Sequence, residues 1–174
     1  MEHLAISVRR ATAADAEALA ELVNDAYAVE KAFLDGERTS TDEIEEMVTD
    51  GPGAFLVLEM AGGLAAAVYV EGRGRAGYFG MLSVRPGLQG MGLGKRLVRI
   101  AEALAEATGA REMTLRIVNL REELGRWYRS LGYREVGTTP FDHRALKRPA
   151  HFVDMAKDLG QGVTDAVDRA VGAA

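Results

Sequence analysis

Cysteine is absent from the chain, and histidine is scarce: His3, His143 and His151 lie scattered without metal-ligand spacing. Disulfides, thiolate metal sites and a cysteine nucleophile are thereby excluded, and no metal is expected. No apolar run approaches the roughly 18 residues of a membrane span. The N-terminal MEHLAISVRR carries Glu2 and lacks the apolar stretch of about 7 to 15 residues that a secretory signal needs, so a cytoplasmic location and no membrane partner are expected. What is present is ordinary for a globular chain: 174 residues, 48% hydrophobic and 27% charged, which predicts one compact domain with a sizeable core.

The net charge of -5 argues against general nucleic-acid binding, whose affinity comes mainly from cations neutralising phosphates. That sum hides an asymmetry. Residues 1–60 hold 14 acids and 4 bases, whereas residues 61–174 hold 12 acids and 17 bases. An acidic portion and a basic portion in one chain suit a cationic ligand and an anionic one.

Periodicity alternates between strand-like and helix-like pieces. Ala5–Arg10 reads as a strand. Thr12 and Asp15 form a helix-start pair, followed by Leu19, Leu22, Val23 and Ala26 at helical spacing. Ser40 and Glu43 are a second such pair, opening a short acidic helix to Val48. Ala54–Met60 and Leu64–Glu71 read as a hairpin turned at Ala61-Gly62-Gly63, and Tyr78–Val84 as the next strand, stopped by Arg85-Pro86. The stripe Leu97, Ile100, Ala101, Leu104 marks a helix ending near Gly109. Met113–Val118 is a strand; Asn119 and Glu122 read as the cap of a helix bearing Leu120, Leu124, Trp127 and Leu131, stopped by Gly132. Tyr133–Val136 and His151–Lys157 are the last strands, separated by a loop over Gly137–Ala150. The domain is expected to span residues 1–158, with 159–174 a C-terminal helix or tail whose Val163, Val167 and Val171 stripe packs on the domain or in a homodimer.

The chief chemical signal is Arg85-Pro86-Gly87-Leu88-Gln89-Gly90-Met91-Gly92-Leu93-Gly94-Lys95-Arg96, between a strand and a helix. Glycines there let backbone N–H groups turn toward an anion, and a helix N-terminus adds partial positive charge, which suits phosphate. A P-loop needs Ser or Thr after the Gly-Lys pair, where this chain has Arg96. The dinucleotide fingerprint needs G-x-G-x-x-G, where this loop reads G-x-G-x-G. ATP and NAD are disfavoured accordingly; a plain strand-to-helix turn is the alternative reading.

The pattern Gln89-x-x-Gly92-x-Gly94, with Arg126-Trp127-Tyr128-Arg129-Ser130-Leu131-Gly132-Tyr133 further on, resembles the GNAT-type acyl-CoA N-acyltransferase superfamily over residues 5 to 158. The resemblance implies an α/β (α+β) fold, with a mixed, mostly antiparallel sheet of about seven strands flanked by helices. A splayed strand pair would hold acetyl-CoA, the acyl donor. It implies pantetheine against Leu82, Ser83 and Val84, pyrophosphate on the backbone of Gln89, Gly90, Met91, Gly92, Leu93, Gly94 and Lys95 with charge from Lys95 and Arg96, and a contact from Asn119. Tyr128 would be the general acid that protonates the departing thiolate; the other reading of Tyr128 is a core tyrosine.

Oxyanion stabilisation is expected from a backbone N–H near Leu82. Some family members carry a catalytic glutamate on the strand corresponding to Tyr78–Val84. This chain has no carboxylate there, so the candidate bases are Glu71, Glu30 and His143, directly or through water. The region between the first two strands lines the acceptor pocket in the family. Here it holds Glu30, Asp35, Glu37, Asp42, Glu43, Glu45 and Glu46, an expected acidic wall for a protonated small-molecule or peptide amine. The implied activity is acetyl transfer to a primary amine by direct attack, with a non-catalytic acyl-CoA-binding module as the rival.

Overall fold

The computed structural model describes residues 6–142 and 144–160. Seven strands form one sheet: β1 (Ile6–Arg10), β2 (Ala54–Met60), β3 (Gly63–Arg73), β4 (Ala76–Val84), β5 (Glu112–Val118), β6 (Arg134–Pro140) and β7 (His151–Asp158). Their spatial order is β1-β2-β3-β4-β5-β7-β6. Every pairing is antiparallel except β4 with β5. Among the described residues there are four α-helices, α1 (Ala16–Ala26), α2 (Thr41–Thr49), α3 (Leu93–Ala107) and α4 (Glu122–Ser130), besides short 3-10 turns.

Apolar spacing decides which face each helix covers. Leu19, Leu22 and Val23 of α1 and Ile44 of α2 are buried. Leu19, Leu22 and Ile44 pack with Phe55, Val57, Ala67 and Tyr69 on one side of the sheet. Leu93, Leu97, Val98 and Ala101 of α3 pack on the other side with Leu58, Val68, Phe79 and Met113. Alternate residues of β2 and β3 supply both cores, as the period of two requires. The Ser40–Glu43 capping box forms, with Glu43 N donating to Ser40 Oγ and Ser40 N to Glu43 Oε2 at 3.2 Å each. The β2–β3 hairpin turns on Ala61 and Gly62, both at positive φ, the backbone a two-residue I′ turn demands.

Two local expectations are corrected. Helix α4 is capped at Arg121 rather than Asn119. Asn119 instead clips β5 to β7: its N donates to the His151 carbonyl and its Oδ1 accepts from His151 N, both at 2.9 Å. Strand β6 continues to Pro140 because β7 offers paired backbone up to His151. The expected C-terminal helix, with Val163, Val167 and Val171, lies outside the described residues. Among the described residues no helix is long and apolar enough to cross a membrane.

What positions the site is the parallel pair β4 and β5. Their ladder consists of Ala76 with Glu112, Gly77 with Met113 and Tyr78 with Thr114, and then stops. Beyond it β4 carries a bulge: Tyr69 and Ala67 of β3 face Gly80 and Ser83, one residue more on β4, and Met81 takes φ 49°. A bulge bends its strand and strengthens the local twist, so β4 and β5 diverge into a wedge. Gly77 sits in the middle pair of that short ladder. A Cβ there would meet Ala105 Cβ and Met113 Sδ at 2.7 Å each. Gly77→Ala is expected to cost about 1 to 3 kcal/mol through overpacking, measured by urea denaturation; an unchanged midpoint would show that α3 yields freely.

Candidate active site

At the rim of the wedge, the start of α3 has features suited to an anion. Helix α3 is capped by Gly92 in the left-handed conformation at φ 80°, which glycine reaches without the Cβ penalty. Its first helical bond runs from Arg96 N to the Gly92 carbonyl at 3.0 Å. The N–H groups of Leu93, Gly94 and Lys95 therefore stand free of the helix ladder. No acid occupies the first turn, where acids are ordinarily favoured, and Lys95 and Arg96 sit there instead. Cations beside a helix's positive end repel it unless an anion joins them. Gln89 Nε2 reaches the Val84 carbonyl at 3.4 Å, tying the loop to the end of β4. Gly94 packs against Trp127 and Val84, where a Cβ would lie 3.6 Å from each.

Inside the wedge lies a cavity of about 170 Å3. Tyr128 of α4 forms one wall; its ring lies 4.8 Å from Trp127 and 5.9 Å from each of Phe79 and Tyr133. It is 5% exposed, and among the described residues nothing hydrogen-bonds its hydroxyl. Burial raises the Tyr128 phenol well above its ordinary value, so at neutral pH it is a proton donor. Gly80, Met81 and Leu82 line the cavity from β4. Ser83 is buried and turned inward, its Oγ donating to the Met81 carbonyl at 3.0 Å. From Phe79 onward the β5 side of β4 has no ladder partner, leaving an edge against which an extended chain can hydrogen-bond.

The opposite wall comes from the segment after α1 and from the loop between β6 and β7. Arg144 clamps these together, donating to the carbonyls of Glu37 and Arg38, while Leu34 bridges Leu146 and Lys147 N donates to the Phe33 carbonyl at 3.0 Å. Glu30 is buried at 6% exposure, and Arg121 Nη1 donates to its Oε1 at 3.2 Å. Burial raises the Glu30 carboxyl above its ordinary value, opposed by the charges of Arg38, Arg121 and Arg144. Tyr27 lines the same space, its phenol pushed up to about 12 by burial.

The expected site residues divide accordingly. Tyr128, Leu82 and Glu30 line one cavity, whereas Ser83, Val84, the segment from Gln89 to Arg96 and Asn119 do not line it. Glu71 does not join them: its carboxylate accepts from Tyr69 Oη at 2.8 Å and pairs with Arg73, beside a separate depression with Arg10 and Gly53. His143 lies outside the described residues. The acidic wall is corrected. Asp35, Glu37, Asp42, Glu43, Glu45 and Glu46 are exposed, Asp35 and Glu37 pair with Lys147 and Lys31, and only Glu30 of that set faces the cavity. Sequence reasoning missed Arg38, Arg121 and Arg144. Arg121 meets Glu30 across 91 positions and Arg144 meets Glu37 across 107, and no local pattern encodes such pairs.

Residues 51–135 match the family model of the acetyltransferase (GNAT) domain. Solved structures share the fold. The protein yncA of Salmonella typhimurium, solved with its cofactor acetyl-CoA, is 22% identical over 90% of this chain and 95% of its own, with a TM-score of 0.70. An N-acetyltransferase from Staphylococcus aureus is 17% identical over 90% and 99%, at 0.73. The protein smu.2055 of Streptococcus mutans is 15% identical over 88% and 99%, at 0.75. No curated protein matches the sequence.

Glu30 also fixes a pH dependence. A carboxyl raised on folding adds stability that is complete below its unfolded value and is lost as pH rises through its folded value. The stability of wild type minus that of Glu30→Gln is therefore expected to be greater at about pH 4, near the ordinary carboxyl range, than at about pH 7. Urea denaturation at both values reads it, and a difference that grows with pH reverses the assignment.

Proposed function

The chain carries a GNAT acetyltransferase domain, and from that premise we propose that it transfers the acetyl group of acetyl-CoA to a primary amine by direct attack in a ternary complex. The observation that carries this reading is the wedge itself: a parallel strand pair that parts after three residue pairs, rimmed by unmet helix N–H groups and walled by a buried tyrosine. The residues suit acetyl-CoA. The open edge of β4 at Leu82, Ser83 and Val84 offers backbone groups to pantetheine, and the N–H groups from Gln89 to Lys95, with Lys95 and Arg96, offer donors and charge to the pyrophosphate.

When bound, acetyl-CoA supplies an activated acyl carbon and a thiolate leaving group. The protein's residues then do three things. Leu82 N–H, on the bulged strand, donates to the acyl oxygen as negative charge gathers there. Tyr128 donates its phenolic proton to the departing sulfur, a task matched to a phenol whose proton is held tightly by burial. Glu30 takes the proton from the attacking amine, directly or through water. Burial raises its carboxyl above the ordinary value, which makes it a stronger base than an exposed glutamate.

Tyr128→Phe is expected to lower kcat by about 100-fold, the usual contribution of a positioned proton donor, while acetyl-CoA affinity changes little. Release of free CoA thiol and calorimetric titration read the two quantities, and unchanged turnover would remove the acid role. In thermal shift, acetyl-CoA and CoA are expected to stabilise the protein while ATP and NAD do not. Release of CoA with no member of an amine panel would leave a binding module in place of an enzyme.

A further inference from the structure

The acceptor side of the cavity carries a charge arrangement opposite to the one the acidic first third of the chain suggests. One carboxylate, Glu30, faces it together with Arg38, Arg116 and Arg144. Three neighbouring cations are engaged. Arg116 donates to Asp154 Oδ1 at 2.8 Å and to Thr139 Oγ1 at 3.1 Å. Arg144 spends both terminal nitrogens on the carbonyls of Glu37 and Arg38. Arg121 binds Glu30 and Glu123.

Arg38 is different. No side-chain acceptor or carbonyl among the described residues meets its guanidinium, and its Nε is buried without a partner. Buried donors ordinarily find partners, and Arg38 lines the cavity with no acceptor for its guanidinium among the described residues, which leaves the group available to a ligand that is not protein. The group is also held in place: Cζ lies 5.2 Å from the centre of the Tyr27 ring, and Arg144 grips the Arg38 carbonyl. Arg38 and Glu30 line the same cavity, and the Arg38 charge opposes the upward shift that burial gives the Glu30 carboxyl.

We propose that the acceptor is a free amino acid, whose carboxylate is bound by the Arg38 guanidinium while its amine faces Glu30. An arginine fork matches a carboxylate in two parallel hydrogen bonds. A zwitterion with its charges two bonds apart answers both residues at once, whereas a polyamine or an aminoglycoside would meet Arg38 with like charge. A cavity of about 170 Å3 fits a small acceptor. This inference rests on the acetyltransferase reading above. It specifies the acceptor's second group: Arg38 binds substrate, and Arg144 is a positioning residue that holds the main chain of Arg38.

The test compares each amino acid with its own amide and its decarboxylated amine, by CoA release and by calorimetric titration in the presence of CoA. Free amino acids are expected to exceed both derivatives in kcat/KM by about 100-fold, the discrimination that a site built around a buried polar group can reach. Arg38→Met is expected to erase most of that ratio by raising KM for the amino acid, with acetyl-CoA affinity retained as evidence of folding. Arg38→Lys, which keeps the charge without the fork, is expected to fall between. Equal use of amino acids and their amides overturns the inference while leaving the acetyltransferase reading standing. So does an Arg38→Met variant whose loss is the same for every acceptor. CoA release with no amine overturns the acetyltransferase reading; titration then decides the present one, which fails if no amino acid binds beside CoA.

Discussion

The parallel contact between β4 and β5 is the constraint on which the rest of the structure depends. Three residue pairs hold the two halves of the sheet together, and the crossover through α3 makes that contact parallel. The antiparallel ladder of β3 on the far side of β4 absorbs an extra residue at Met81. The extra residue turns β4 out of line with β5 while keeping it joined to β3. A sheet therefore ends up with an unpaired edge at its centre, a place where backbone donors and acceptors normally find partners. Helix α4 lays Tyr128 along the wall of that opening, and α3 begins a few residues after β4 ends.

Electrostatics then divides the opening in two. Beside it, the left-handed Gly92 cap and the cations Lys95 and Arg96 in an acid-free first turn of α3 suit an anion. Deeper in, Glu30 is buried among arginines contributed by the segment after α1, by the start of α4 and by the loop between β6 and β7. Arg121 and Arg144 fasten these otherwise irregular segments to one another, so that wall is shaped by its own charges. The small apolar cluster of Phe33, Leu34, Val118 and Phe152 anchors that wall to the sheet.

Much of this was legible in the chain. The strand and helix alternation, the hairpin at Ala61-Gly62, the Ser40–Glu43 cap and the glycine-rich approach to α3 are all local, within one turn or one period, and local periodicity reports them. The wedge was available only through the family resemblance carried by Gln89, Gly92, Gly94 and the Arg126–Tyr133 segment, since a bulge leaves no periodic mark. Asn119 shows how a correct local rule is overridden: Asn before a helix is a good cap, but the open end of β7 offered His151, and Asn119 satisfied two backbone groups there while Arg121 took the cap.

Charge is where linear reading failed most. Counting acids over the first 60 residues gives an acidic segment, yet among the described residues several of those side chains pair with Arg9, Lys31 and Lys147, and Glu30 is the one buried in the cavity wall. The sequence by itself determined the elements, their amphipathic faces and the phosphate-suited loop, because each depends on neighbours a few positions away. Only the tertiary structure decided where β4 parts from β5, which carboxylate is buried and which arginine is left without a partner. Those outcomes depend on groups some 90 to 107 positions apart meeting in one small, water-poor space, where burial sets the energy of each charge.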